Sequence, residues 1–478
     1  MRKEFKLLVF LFVLAFIIRV IFVFASPIKI WDETVYANLG YDLSSNFLDY
    51  SLRDSGWSDY IPGSESFYSW PNMGFRAPLL PYLLSLFYFF KLSFFVNFFV
   101  VFVGALSVCL IYILGKNMFN ERIGFYSAVF LTLVPLHVIY SARIFTEILV
   151  TFFELLVFIS FWKGYEKGNK TYKIFFGFFL ALSLLSRYTA LWIMPVFPIY
   201  FLVRDKSFKF LKDKYLWYSI LIFFITLIPW FIYGFFTYGN FLGAFIHGWK
   251  SSAYWGGLQS WNFFFVNWFR MFSVIGIVFF IGLIYVFYKR EFVKKEFSLL
   301  LIWFIVFLVF AIYMPHKEQR FILPIVPTIV LISGYFFDIL KKNRTLIFGV
   351  LVLFSVLHLG FHFGDIYHDF YTDTNECFLQ ANEFLRGVDS NSVVITDESS
   401  VVFYYTKLET SFYPNPWNYE TLENWKENYP GRVVYVLFGD YIIKSEGESE
   451  RIKEDLEKNS EKVWECFKGE GYTLVYQI

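Results

Sequence analysis

Charge is scarce in this 478-residue chain, at 17%, and cysteine scarcer still, at three residues. The first shortage excludes an ordinary soluble domain, in which about a quarter of the residues are charged. The second excludes a disulfide framework. Cys377 and Cys466 could still form one bridge in an oxidising compartment or stay as two buried thiols, and the spacing alone does not choose. No soluble part of the chain is basic, so nucleic acid is not an expected partner. What is abundant is apolar: 57% of residues are hydrophobic and 24% aromatic, including 67 phenylalanines. That composition belongs to a membrane protein.

The net charge of +2 conceals two regions. Residues 1–363 sum to +14 and residues 364–478 to −12. The first region holds eleven apolar runs of spanning length, at roughly 7–25, 94–115, 123–141, 145–162, 172–186, 189–203, 215–236, 271–288, 297–314, 321–337 and 345–363. Residues 78–90, PLLPYLLSLFYFF, form a shorter run headed by proline, which reads as a juxtamembrane helix. With the amino terminus in the cytoplasm, 21 basic residues fall in inside loops, Lys341, Lys342 and Arg344 among them, against ten in outside loops. Counting 78–90 as a span would invert that bias. The expected protein is mainly α, polytopic in the cell membrane, with a long first outside loop at 26–77 and an extracytoplasmic α/β domain at 364–478. Within that domain ANEFLRGV and residues 419–428 read as helical, and VVIT, VVFYY, RVVYVLF and YTLVYQI as strands.

Charged residues at the ends of spans are functional candidates, because lipid penalises them. Almost all lie on the expected outer face: Asp32 and Glu33 after the first span, Arg76 before Pro78, Arg143, Thr146 and Glu147 after the third, Arg187 and Tyr188 after the fifth, and His316-Lys317-Glu318-Gln319-Arg320-Phe321 after the ninth. Carboxylates among several cations suit a reaction in which an acceptor loses a proton while a phosphate leaves. His316 and Arg320, four apart at a helix start, are expected to share a face and favour an anion.

These motifs resemble those of the GT-C glycosyltransferases, the membrane enzymes that use lipid-phosphate-linked sugars. The matches are D-E-x-x-Y at Asp32, Glu33 and Tyr36; Arg76 before Pro78; R-x-x-T-E at Arg143, Thr146 and Glu147; Arg187-Tyr188; and Arg320-Phe321 followed by Pro324 and Pro327. His316 to Phe321 is similar to the H-K-E-x-R-F signature of lipid-phosphate-mannose-dependent mannosyltransferases, whereas the D-E-x-x-Y start is similar to protein O-mannosyltransferases and aminoarabinose transferases. The resemblance implies Asp32 as the base that activates the acceptor, with Glu33 or Glu147 as a second carboxylate orienting it. It implies Arg76, Arg143, Arg187, His316, Lys317 and Arg320 as ligands of the donor phosphate, and inversion at the sugar. The implied partners are a polyprenyl- or dolichyl-phosphate sugar, a protein, glycan or lipid acceptor, and membrane lipids. No cofactor is required, although a divalent metal could sit among His358, His362, Asp365, His368 and Asp369.

Plainer readings stand beside these. Arg143 and Glu147 could form a local i,i+4 ion pair. Lys317 and Arg320 could snorkel, and the tryptophans between 249 and 268 could form an interfacial belt or stack on a sugar. Arg19, inside the first span, could pair with Glu154 or reach outward. A transporter or flippase of lipid-linked sugars is the alternative of another class; it calls for charge near the bilayer midplane and two related halves.

Overall fold

The computed structural model describes residues 2–26, 29–52, 54, 73–254, 259–340, 343–413, 419–440 and 446–478. Residues 27, 28, 53 and 55–72 of the first outside loop, Lys341 and Lys342, and residues 255–258 of the tryptophan-rich loop lie outside them. The chain divides into two compact units. A helical unit comprises Met1–Phe24, Gly74–Leu80 and Phe94–Phe363; an α/β unit comprises Ala25–Met73, Pro81–Ser93 and Gly364–Ile478.

The chain opens with α1 (Arg2–Ala25), α2 (Trp31–Ser45) and α3 (Leu79–Phe89). The helical unit continues with α4 (Val96–Met118), α5 (Glu121–Leu133), α6 (Pro135–Ser141), α7 (Thr146–Phe161), α8 (Lys170–Ser186), α9 (Val196–Asp205) and α10 (Lys214–Tyr238). It closes with α11 (Gly243–Tyr254), α12 (Phe263–Val266), α13 (Trp268–Tyr288), α14 (Lys295–Tyr313), α15 (Val326–Ile339) and α16 (Arg344–Phe370), the last running on into the α/β unit. Each of the eleven apolar runs is helical. Among the described residues eight helical stretches are long and apolar enough to cross a membrane (α1, α4, α7 with the turn that extends it to Glu166, α10, α13, α14, α15 with the turn that begins at Gln319, and α16), and the bent pair α5 and α6 makes a ninth, against the eleven expected. The runs at 172–186 and 189–203 become the 17-residue α8 and the 10-residue α9, the latter preceded by a 3₁₀ turn at Tyr188–Ile193. Residues 78–90 yield the 11-residue α3, too short to span.

Lipid gives helices no hydrophobic reason to associate, so close packing has to hold them. At the crossing of α4 and α5 a Cβ on Gly115 would stand 2.8 Å from the Gly124 Cα, a separation only two glycines allow. Elsewhere rings stack, as Phe158 does on Trp303 with centroids 3.5 Å apart.

In the α/β unit, α17 (Asp373–Arg386), β1 (Val393–Ile395), α18 (Ser399–Thr406), β2 (Glu409–Ser411), α19 (Tyr419–Lys426), β3 (Val434–Gly439), α20 (Glu446–Asn459), β4 (Glu461–Lys468) and β5 (Gly471–Gln477) build a five-stranded sheet of order β2-β1-β3-β5-β4. Here β1 is parallel to β2 and β3, while β5 is antiparallel to β3 and β4. Helices cover both faces, which is why the inner strands read as continuous apolar runs. Val393, Val436 and Phe438 face Leu422, Ile452 and Leu456; Val394, Leu437 and Val475 face Phe378, Leu385 and Val402. VVFYY, expected as a strand, is the helix α18. Its Val401 and Val402 bury against α17, and that packing outweighs the β-propensity of the run. The strand pairing left no signal in the sequence for β2, which is three residues long, or for β4, which is largely exposed and charged.

Helix α2, from the first loop, belongs to this unit. Asn38 Nδ2 donates to the Ser400 carbonyl at 2.8 Å, and Thr34 and Ser400 hydroxyls meet at 3.1 Å. The Lys407 ammonium lies 4.3 Å from the ring centroid of Tyr41, 5.1 Å from that of Phe403, 5.3 Å from that of Tyr404 and 5.9 Å from that of Tyr88, so α2, α3 and α18 share one cation–π cage. Cys377 of α17 and Cys466 of β4 form a disulfide, which decides between the two readings of these residues.

Two predictions follow from this unit. The bridge closes a separation of 89 residues. Cys466→Ser should cost the unit about 4–5 kcal/mol by freeing its unfolded chain, read as a lower unfolding midpoint that reducing agent does not lower further. Burial, with Asp54 and Asp49 adding to it and Lys407 opposing, pushes the Asp42 carboxyl up to about 8. A raised acid favours folding below its unfolded value of about 4 and loses that contribution as pH climbs towards 8. Burial lowers Lys407 to about 8, so its own effect falls above that window. Amide protection of α2 should therefore weaken from pH 5 to 8, and Asp42→Asn should flatten the slope.

Candidate functional site

In the helical unit the charged motifs occupy places where helices stop. Pro135 breaks the third span, bending α5 against α6 by 61°. The short α6 ends at Ser141, Phe145 is extended, and α7 restarts at Thr146, placing Glu147 in a first turn where the helix dipole favours an acid. Arg187 is the extended residue that ends α8, where the dipole favours a cation. Residues 314–318 separate α14 from a 3₁₀ turn at Gln319–Ile325 that leads into α15.

These breaks converge on the Glu147 carboxylate, which is 2% exposed. Its Oε1 accepts from Arg187 Nη1 at 2.6 Å and lies 3.3 Å from Arg320 Nε. Arg320 also pairs with Glu318, Nε to Oε2 at 2.7 Å and Nη2 to Oε1 at 2.8 Å, and that same Oε1 is 3.0 Å from His316 Nε2. Aromatic faces complete the arrangement. Phe145 carries Arg320 at 4.4 Å and Arg143 at 5.3 Å, while Phe321 carries Arg187 at 4.9 Å. Lys317 turns inward, donating to the carbonyls of Met314 at 2.7 Å and Gln259 at 3.0 Å, which ties the tryptophan-rich loop to the His316 segment.

Tyr188 serves the segment that bears Arg76. Its hydroxyl donates to the Gly74 carbonyl at 2.6 Å and accepts from Trp230 Nε1 at 2.8 Å. Gly74 is required there, since a Cβ would stand 2.7 Å from Tyr238 Oη and 2.8 Å from Tyr233 Cε1. Three guanidiniums, of Arg143, Arg187 and Arg320, are thus gathered around the carboxylates of Glu147 and Glu318, an excess of positive charge suited to an anion.

The other two candidates belong to the α/β unit. Asp32 is half-buried in the first turn of α2. Glu33 is fully buried, accepting from the Ile30 amide at 3.2 Å with Lys29 Nζ 3.8 Å away, so it caps the helix that carries Asp32.

Several expectations change. Glu147 pairs with Arg187 and Arg320, not with Arg143 four residues before it; the guanidiniums come to it from chain segments 40 and 173 residues away. His316 and Arg320 share no helix face, because 314–318 is not helical; they share Glu318 instead. Lys317 and Arg320, at 4% and 7% exposure, are buried and do not snorkel. Among the described residues no group of three His, Cys, Asp or Glu is arranged to hold a metal ion, and His362 Nε2 stands 2.9 Å from the Arg270 carbonyl. Sequence reasoning missed Glu318 as a counter-charge, Phe145 as a cation platform and Trp230 as a support. Glu318 had a visible signal, lying between two cations of one motif.

Comparison with known proteins places the fold. Residues 75–233, which include Arg76, Arg143, Glu147 and Arg187, match the family described as dolichyl-phosphate-mannose-protein mannosyltransferase. No curated protein matches the sequence. Among solved structures the chain is similar to ArnT from Cupriavidus metallidurans bound to undecaprenyl phosphate, with a TM-score of 0.75 at 11% identity over 98% of this chain and 97% of that one. It is also similar to the archaeal oligosaccharyltransferase AglB from Archaeoglobus fulgidus in complex with an inhibitory peptide and a dolichol-phosphate, at 0.62 and 14% over 91% and 69%. The fold is that of the GT-C glycosyltransferases, as the motifs imply.

Removing the shared carboxylate should leave two guanidiniums facing each other uncompensated. Glu147→Ala is expected to lower stability by about 3 kcal/mol, the order found for breaking a buried pair, whereas Thr146→Ser should be near neutral in thermal unfolding of the detergent-solubilised protein.

Proposed function

We propose that this chain is an inverting glycosyltransferase that moves a monosaccharide from a polyprenyl- or dolichyl-phosphate carrier to a protein, glycan or lipid acceptor at the extracytoplasmic face of the membrane. The observation that carries the reading is the convergence of Arg187 and Arg320 on Glu147 in a fold shared with a protein bound to undecaprenyl phosphate. Mannose is the first sugar to test, from the matching family and the His316 to Phe321 pattern. The Cys377–Cys466 bridge supports an oxidising, extracytoplasmic location for the α/β unit, hence a cytoplasmic amino terminus.

In this mechanism Asp32 takes the proton of the acceptor hydroxyl or amide as its oxygen or nitrogen bonds to the anomeric carbon. The bond from that carbon to the phosphate oxygen breaks on the opposite side, and the electron pair leaves with the lipid phosphate. Arg76, Arg143, Arg187, His316, Lys317 and Arg320 stabilise the growing phosphate charge. Glu147 holds the guanidiniums of Arg187 and Arg320 together and aimed, a task that joins the acceptor-orienting one implied by its motif. Glu33, buried as the cap of α2, acts on Asp32 through the helix.

The test is transfer in membranes supplied with labelled lipid-phosphate sugars. Asp32→Asn should lower the rate about a hundredfold or more, the usual contribution of a general base, with the donor KM little changed. Full activity in that variant would remove Asp32 from the role, and no transfer from any lipid-phosphate sugar would remove the reading.

A further inference from the structure

Arg19 is fully buried in α1, and among the described residues it has no carboxylate partner. Glu154 does not meet it. The guanidinium is instead held by three acceptors: Nη1 donates to the Ala15 carbonyl at 2.9 Å, and Nη2 to the Leu131 carbonyl at 3.3 Å and to His137 Nδ1 at 2.8 Å. Leu131 lies four residues before Pro135, whose nitrogen bears no hydrogen, so the break between α5 and α6 strips that carbonyl of its helical donor. A carbonyl left bare in an apolar bundle costs several kcal/mol, roughly, unless a neighbouring element supplies a donor. Arg19 supplies it. The same side chain reaches past the break to His137, and Ser141, which donates to the His137 carbonyl at 2.5 Å, is the last residue of α6. The site is built to admit it: a Cβ on Gly104 of α4 would collide with Ser141 Oγ and lie 3.1 Å from Arg19 Nε.

We propose that Arg19 is a positioning residue: by bonding the carbonyl that Pro135 frees on one side of the break and His137 on the other, it fixes the bend through which α6 delivers Ala142 to Glu147. Its kinetic consequence rests on the proposed sugar transfer; its structural consequence does not. A buried cation with neutral acceptors on both sides of a break acts as a staple, and its removal frees the orientation of α6 and of the residues that follow it, Arg143 and Glu147 among them.

The experiment pairs a structure with an assay. In the Arg19→Met protein, electron cryomicroscopy should show the angle between α5 and α6 departing from its present 61°. Transfer should fall about a hundredfold, as a displacement of the order of 1 Å can cause. Arg19→Lys, which keeps donors for Leu131 and His137, and His137→Gln, which keeps an acceptor for Arg19, should each stay within about tenfold of the parent, a rescue that loss of packing alone does not give. Should Arg19→Met fail to accumulate, His137→Phe carries the same expectations. An unchanged bend in either folded variant overturns the proposal, as does a failed rescue by both conservative variants. If no protein in the series, parent included, transfers sugar, the function is wrong and the bend alone decides the staple.

Discussion

Two guanidiniums and one carboxylate oxygen, drawn together from α7, the end of α8 and the turn before α15, are the constraint on which the candidate site depends. Like charges so close repel in a poorly polarisable surrounding, and Glu147 is what lets Arg187 and Arg320 coexist. Because Glu147 is nearly inaccessible to solvent, the pairing is also costly to assemble, and an arrangement of that kind is weak evidence of a role in stability. It makes more sense as preorganisation, a cationic surface held in shape before an anion arrives. Glu318 acts in the same direction by engaging Arg320 with both oxygens and His316 with one.

The fold was legible to the extent that apolar length decides it. Every apolar run became a helix, because nothing else satisfies its backbone in lipid. The α/β unit was readable wherever strands are buried on both faces, as in Val434–Gly439, and unreadable where pairing alone makes the strand, as in Glu409–Ser411. VVFYY was misread because its local preference points to a strand while the surface it packs on accepts a helix.

The candidate residues themselves stood out in the sequence, but their pairings did not. A four-residue spacing suggested that Arg143 neutralises Glu147, yet the neutralising cations come from distant segments that the sequence gives no means of ranking. The same limit hid Tyr188. Its motif position marked it, but its work is to hold the Gly74 carbonyl, and a hydroxyl's partner across 114 residues is a fact of packing. Lys317 is a third case: a lysine beside lipid reads as a snorkelling side chain until two carbonyls, of Met314 and Gln259, account for its burial.

What joins these cases is the interrupted helix. An unbroken span uses all its backbone groups internally and presents only side chains, so it can neither bind nor position a charge through its main chain. Breaks at Pro135, at Ala142 to Phe145, at Arg187 and at 314–318 release carbonyls and amides inside an apolar unit, and each is found beside a long cationic side chain or next to one. Arg19 takes the Leu131 carbonyl and Lys317 the Met314 carbonyl. Seen this way the buried cations divide by partner: those bonded to carbonyls hold the breaks open, and those bonded to carboxylates face one another across them. Arginine suits both tasks because its planar fork offers five donors without losing its charge, whereas a lysine in the Arg320 position could not hold Glu318 with two nitrogens while keeping Glu147.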